Sequence, residues 1–176
     1  MLVICVIFKP TMYYNNIYDI NYDKLKEMGI KALVFDLDNT LGLISDGNCP
    51  PKTKALIKKL QKDFFIVICS NNSKRRLKPY MEDLGVDGVA WSMKPLMHGL
   101  IVIKQKYKLK KKEMVIIGDQ IVTDIFAGNK FRIKTILVDP LGIKDMKITY
   151  LNRKIEDLIV RIYTKRGKFE RGRYYE

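Results

Sequence analysis

A small set of polar residues stands where the apolar runs of this chain end. The run KALVFDL (31–37) carries Asp36 and is followed by Asp38, Asn39 and Thr40. FFIVIC (64–69) ends at Ser70, with Asn71 and Asn72 next; Lys94 precedes Pro95; MVII (114–117) runs into Gly118-Asp119, with Thr123-Asp124 beyond. Residues two apart on an extended segment point the same way, so Asp36 and Asp38 face one side. A carboxylate at the end of an apolar strand is costly unless paired or metal-bound. A lone Asp-x-Asp would serve equally well as a turn cap paired with a lysine. Matching groups at three other run ends argue for one shared crevice.

The chemistry these types suit is phosphoryl transfer. Crowded carboxylates bind Mg²⁺, a hard cation that takes oxygen ligands. That ion and Lys94 would neutralise the equatorial oxygens of a transferring phosphoryl group. One carboxylate can attack phosphorus and become an aspartyl phosphate. A second can protonate the leaving group and then activate water. Ser70, with the backbone N–H groups of the following helix start, suits a phosphate oxygen. No glycine-rich P-loop is present, so nucleotide hydrolysis of the Walker type is not expected.

The elements that must position these groups alternate along the chain. Strands are expected at Lys31–Leu37, Phe64–Cys69, Gly88–Trp91, Met114–Ile117 and Lys134–Val138. Between them lie helical patterns at Pro51–Lys62 (apolar Ala55, Leu56 and Leu60), Ser73–Leu84, Pro95–Tyr107 and from Thr123 to Asn129, with an amphipathic helix at Asn152–Thr164 closing the chain. This βαβα order predicts an α/β fold with a parallel sheet of five strands and helices on both faces. Ligands of such sheets bind beyond the carboxyl ends of the strands, where the polar residues above fall.

With 176 residues, the chain is expected to form one domain over 1–164 with an N-terminal arm, followed by a basic, mobile tail at 165–176. A hydrophobic fraction of 47% and a charged fraction of 30% argue against disorder, a collagen repeat or a disulfide scaffold. Cys5, Cys49 and Cys69 form no CxxC and read as reduced thiols of a cytoplasmic protein. The apolar opening Met1–Phe8 reads as a packing arm, being too short for a spanning helix and lacking the basic start of a signal peptide. The formal charge of +14 points to nucleic acid, an anionic membrane surface or phosphorylated substrates as partners. Trp91 is expected in the core, and His98 on the surface or a helix.

The same residues, in the same order, resemble the haloacid dehalogenase (HAD) superfamily of phosphatases. DLDNT at 36–40, Ser70, Lys94 and GDQIVTD at 118–124 match its four motifs in turn. More narrowly, the chain resembles the YqeG family of class IIIA HAD phosphatases through FKP near its start, YDI at 18–20, GIKALVFDLDNTL, SNN at 70–72, KP at 94–95 and NRKIE at 152–156. The resemblance implies a HAD-like Rossmannoid three-layer sandwich. It implies Asp36 as nucleophile and Asp38 as general acid/base. Asp119 would bind Mg²⁺ with the Asp36 carboxylate and the Asp38 backbone carbonyl, and Asp124 would ligate or orient the metal or steer Lys94. Ser70 and Lys94, with Asn71, would hold the phosphoryl group.

Only 31 residues separate Asp38 from Ser70, and 23 separate Ser70 from Lys94. Neither interval holds a folded cap domain, which needs roughly 50 residues. An uncapped site stays open to a bulky phosphate or borrows walls from a partner subunit in an oligomer. One branch of the resembled family comprises phosphatidylglycerophosphate phosphatases, so a lipid headgroup is the expected substrate. Peripheral contact with an anionic membrane is expected with it, Phe8, Met12, Tyr13 and Tyr14 inserting shallowly. Nucleic acid is the second choice, as the substrate of a polynucleotide phosphatase or as the ligand of an RNA- or ribosome-binding protein with a vestigial site.

Overall fold

A computed structural model describes residues 7–142 and 147–176, the side chains of 147–153 excepted. Cys5, most of the apolar opening and the side chains of Asn152 and Arg153 thus lie outside the described residues. The strands are β1 (Met12–Tyr14), β2 (Ala32–Phe35), β3 (Phe65–Cys69), β4 (Asp87–Val89), β5 (Met114–Gly118) and β6 (Lys134–Val138). The helices are α1 (Tyr22–Glu27), α2 (Pro51–Leu60), α3 (Lys74–Leu84), α4 (His98–Lys106), α5 (Phe126–Phe131) and α6 (Lys147–Lys165).

The six strands form one parallel sheet in the order β1-β6-β5-β2-β3-β4. Its central strands β2, β3 and β5 read as unbroken apolar runs because both faces are covered. On one face Leu33, Phe35, Ile66, Ile68, Val115 and Ile117 pack against Ile57 of α2 and Leu77 and Tyr80 of α3. On the other, Val34, Val67, Met114 and Ile116 meet Leu100 and Ile103 of α4 and Ala127 and Phe131 of α5. Successive side chains of one strand therefore serve opposite layers. The three-layer sandwich is as expected, and among the described residues no folded insertion interrupts it between β2 and β5.

Among the described residues the sheet has six strands rather than five. The addition is β1, which pairs with β6 through Met12↔Ile136, Tyr13↔Leu137 and Tyr14↔Val138. Three residues give too little periodicity to announce a strand, and their partner lies 124 positions away. Met12, Tyr13 and Tyr14 are buried, and the Phe8 ring stands 5.0 Å from Phe126. Met12, Tyr13 and Tyr14 are therefore core residues rather than membrane contacts, and half-buried Phe8 packs against the core. On α2 the buried stripe is Thr53, Ile57 and Leu60, with Ala55 exposed. Trp91 is also not in the core; its side chain faces solvent.

The stretch 165–176 is packed on the domain, in contrast to the mobile tail expected from its composition. Tyr175 N donates to Tyr13 O (3.0 Å) and Tyr13 N to Tyr175 O (2.8 Å), a bridge on the open edge of β1. Phe169 is buried with its ring 5.3 Å from Tyr13. Arg171 reaches the buried carboxylate of Glu156 at 3.1 Å. Apolar groups spaced among charges in 165–176 hide this docking, because each meets a distant partner rather than a neighbour in sequence. Phe169→Ala is expected to lower stability by about 3 kcal/mol, the usual result of truncating a buried aromatic. Urea unfolding checks this, and an unchanged midpoint would mean that the tail contributes nothing to the fold.

Candidate active site

The chain runs β2, β3, β4 outward on one side, then returns to β5 on the other side of β2. A crevice opens at the carboxyl ends where the order reverses. Phe35 is in register with Ile117, and Asp36 N donates to Ile117 O at 2.8 Å. The first residue past β2 is thus Asp36, and the first past β5 is Asp119. Beyond Asp119 the backbone makes one wide π-helical turn, Ile121–Ile125, before α5. That turn brings Asp124 back over Gly118. A Cβ at Gly118 would stand 2.3 Å from the Asp124 carboxyl group, so only glycine leaves room for it. After β2 the chain turns sharply, with Asn39 at φ 61°, a conformation asparagine tolerates better than most residues. Thr40 Oγ1 then donates to Asp119 Oδ1 at 3.3 Å.

Lys94 arrives from the loop after β4 and is buried. Its ammonium donates to Asp36 Oδ1 (2.5 Å), Cys69 O (2.6 Å) and Asp124 Oδ1 (2.7 Å). Those three acceptors match the three donors of a lysine ammonium. Burial alone would lower its pKa, but Asp124 and Asp36 outweigh burial and hold it above the usual lysine range. Burial pushes the Asp36 carboxyl up to about 7, against the pull of Lys94 and with Asp124 adding to the rise. The Cys69 thiol is likewise raised by burial, to about 11, so it is no nucleophile at neutral pH.

Asp36, Asp119 and Asp124 each present a carboxylate oxygen within 4.8 Å of the others, and all three are buried. One ammonium does not balance three buried carboxylates. The donor set consists of hard oxygens, which fits a divalent cation such as Mg²⁺. The Asp38 carboxylate stands apart from this cluster. It accepts from Arg76 Nε (3.0 Å), Arg76 Nη2 (2.9 Å) and Asn72 Nδ2 (3.2 Å). Ser70 is buried at the end of β3, and its Oγ accepts from Asn72 N at 3.1 Å.

Five predicted site residues, Asp36, Ser70, Lys94, Asp119 and Asp124, are therefore buried at one end of the sheet, with Asp38 beside them. Asn71 departs from expectation. Its Oδ1 accepts from Lys94 N (2.7 Å) and Ser92 Oγ (2.9 Å), and its Nδ2 donates to Lys94 O (2.7 Å). Both ends of the amide fasten the Lys94 loop, so this side chain positions Lys94.

Arg76 is a further site residue that the motifs do not single out. Besides Asp38 it donates to Leu43 O at 2.9 Å and to Asp46 O, tying the loop after β2 to α3. A signal was present. Lys74, Arg75 and Arg76 crowd the first turn of α3, which holds no acidic residue. Cations are unfavourable at a helix N-terminus, so an arginine there implies an anion nearby.

A model of the haloacid dehalogenase-like hydrolases matches residues 33–125, the stretch that carries every one of these groups. Probable phosphatase YqeG of Bacillus subtilis (strain 168) is 34% identical over 164 residues, 93% of this chain and 95% of that protein. The chain belongs to the haloacid dehalogenase-like hydrolases and, within them, to the YqeG family of phosphatases. The chloroplastic phosphatidylglycerophosphate phosphatase 1 of Chlamydomonas reinhardtii is 25% identical over 90% of this chain, which spans 63% of that protein. Among solved structures, the 3-deoxy-D-manno-octulosonate 8-phosphate phosphatase of Moraxella catarrhalis, in complex with magnesium, phosphate and KDO, shares the fold. Its TM-score is 0.50 at 13% identity, covering 81% of this chain and 92% of that one.

Two outcomes follow from this geometry. A cation held by Asp36 requires that carboxyl ionised, whereas the metal-free fold favours its protonated form up to about pH 7. Its raised pKa therefore subtracts stability from the metal-free fold as pH rises from the ordinary aspartate range toward that value. Mg²⁺ affinity should then climb about tenfold per pH unit below that point and flatten above it. Calorimetric titration at several pH values checks this, and a flat profile would contradict it. Arg76→Ala should lower kcat on a small aryl phosphate roughly tenfold to a hundredfold with little change in KM, because Asp38 loses its orientation. Steady-state kinetics with Arg76→Lys as a partial rescue tests the assignment; a change confined to KM would place Arg76 on the substrate instead.

Proposed function

We propose that this phosphatase hydrolyses a phosphomonoester through an aspartyl-phosphate intermediate, with phosphatidylglycerophosphate, converted to phosphatidylglycerol, as the substrate. The observation that carries the mechanism is the pairing of two differently held carboxylates at the end of β2. Asp36 is buried against Lys94, and Asp38 is held by Arg76 and Asn72. Asp36 attacks phosphorus, and the P–O bond to the leaving alkoxide breaks. Asp38 gives that alkoxide its proton. Asp38 then takes a proton from water, whose oxygen attacks phosphorus and releases the Asp36 carboxylate and inorganic phosphate.

Lys94 keeps its charge beside Asp36 throughout, lowering the repulsion between an anionic nucleophile and an anionic phosphoryl group. Ser70, buried one residue past the end of β3, supplies a hydroxyl at the phosphoryl site. Asp36, Asp119 and Asp124, with the Asp38 backbone carbonyl, would hold Mg²⁺. When bound, that ion supplies Lewis-acid neutralisation of phosphoryl charge.

Three things support the lipid substrate. Among the described residues no inserted cap covers the crevice, which suits a phosphate on a large carrier. A net charge of +14 favours approach to an anionic surface. Two relatives, from Chlamydomonas reinhardtii and Arabidopsis thaliana, carry the name phosphatidylglycerophosphate phosphatase. No helix among the described residues is long and apolar enough to cross a membrane, so such contact would be peripheral.

The test compares phosphate release from phosphatidylglycerophosphate in mixed micelles with release from a 3′-phosphorylated oligonucleotide. Turnover of the lipid, lost by at least roughly a thousandfold in Asp36→Asn, is expected. Turnover of the oligonucleotide alone would reject the lipid, and wild-type turnover by Asp36→Asn would reject the nucleophile.

A further inference from the structure

The mouth of the crevice is bordered by large apolar side chains turned toward solvent. In the loop after β4, exposed and buried residues alternate. Trp91 and Met93 are 64% and 54% exposed, Ser92 and Lys94 between and after them are buried, and Leu96 is again 51% exposed. Trp91 and Met93 both adopt positive φ, 50° and 59°. Bulky residues seldom enter that region and stay there only where their surroundings over-determine them.

Here the inner side of the loop supplies that constraint. Asn71 binds Lys94 N, Lys94 O and Ser92 Oγ, while Trp91 N donates to Asn72 O and Ser92 N to Ser70 O, each at 3.0 Å. One face of the loop is locked onto the catalytic groups, and the other presents Trp91, Met93 and Leu96 outward. Leu43 and Leu141, from the loops after β2 and β6, are exposed as well. Those two loops meet: Leu141 N donates to Asn39 O at 2.9 Å, and a Cβ at Gly142 would stand 2.5 Å from Leu43 Cδ2. All three loops follow carboxyl ends of parallel strands, so they open on the side where Asp36 lies.

We propose that this rim, centred on Trp91, Met93 and Leu96, seats the enzyme on an anionic phospholipid bilayer with the crevice facing the headgroups. The inference rests on the lipid reading above and gives it a surface. Exposed Lys74 and Arg75, in the first turn of α3, flank the rim through Asn72, whose carbonyl holds Trp91. Cations around an apolar rim containing a tryptophan match the boundary between headgroups and acyl chains. A single-stranded nucleic acid fits less well. It would call for a series of aromatic platforms, whereas four of these five rim residues are aliphatic or thioether.

Trp91 is the sole tryptophan of the chain, so its fluorescence reports on this loop alone. The experiment mixes the full-length protein with vesicles of phosphatidylglycerol and phosphatidylcholine, or of phosphatidylcholine alone, all free of substrate. Anionic vesicles should shift the emission to the blue, and lipids brominated on the acyl chains should quench it. Met93→Ser combined with Leu96→Ser should weaken vesicle binding about tenfold while leaving the circular dichroism spectrum unchanged. Emission indifferent to anionic vesicles, or shifted without quenching by brominated chains, would overturn the proposal. So would a blue shift that appears without lipid as protein concentration and molecular mass rise together, which would assign the rim to a second copy of the chain. The two readings fail separately. Quenching without turnover of phosphatidylglycerophosphate removes the substrate and leaves the docking; turnover in detergent micelles without quenching does the reverse.

Discussion

The ammonium of Lys94 is the group around which the rest of the site is arranged. A buried lysine stays charged only when each of its donors is met. Asp36, Asp124 and the Cys69 carbonyl meet them, and in doing so fix the ends of β2, β3 and β5 relative to one another. Removing one partner from such a buried pair typically costs about 3–5 kcal/mol. In the proposed mechanism the same contact serves chemistry, because it keeps a positive charge beside the oxygen that would meet phosphorus. Structure and reactivity thus depend on one set of hydrogen bonds.

The remainder of the fold can be understood as the means of bringing those partners together. Parallel strands end on one side of the sheet, so four segments far apart in sequence deliver side chains to a common place. Layers on both faces let the strands be wholly apolar up to their last residue, where Asp36, Ser70 and Asp119 follow. Two local devices refine the placement. The wide turn at Ile121–Ile125, made possible by the missing side chain at Gly118, brings Asp124 to Lys94. The carboxamide of Asn71 holds the Lys94 backbone from the opposite side of the crevice.

How far the sequence reveals this differs from residue to residue. Asp36, Ser70 and Asp119 are legible because each interrupts or ends an apolar run, and a polar group there needs a reason; Lys94, in a short Lys-Pro step, is legible only in register with them. The central strands are legible for the same reason of contrast. β1 is not, since a three-residue strand is defined by its partner 124 residues on and not by its own pattern. The tail misleads because its charges dominate the composition while Phe169 and Tyr175 make the contacts. Asn71 is recognisable as polar and well placed, yet whether its amide faces a ligand or a loop depends on a backbone 23 positions away. Arg76 was visible only as a misplaced charge at a helix start, and Trp91 not at all, because backbone φ is not written in residue type.

The claim on which the account turns is that Asp36 becomes phosphorylated. An aspartyl phosphate is reduced by borohydride to homoserine, whereas a free aspartate is not. Enzyme quenched during turnover of a phosphomonoester, treated with borohydride and digested should therefore yield the peptide containing residues 32–42 with homoserine at position 36 and aspartate retained at position 38. Homoserine at position 38 or 119 instead, or none at all while phosphate release proceeds at its full rate, would contradict it.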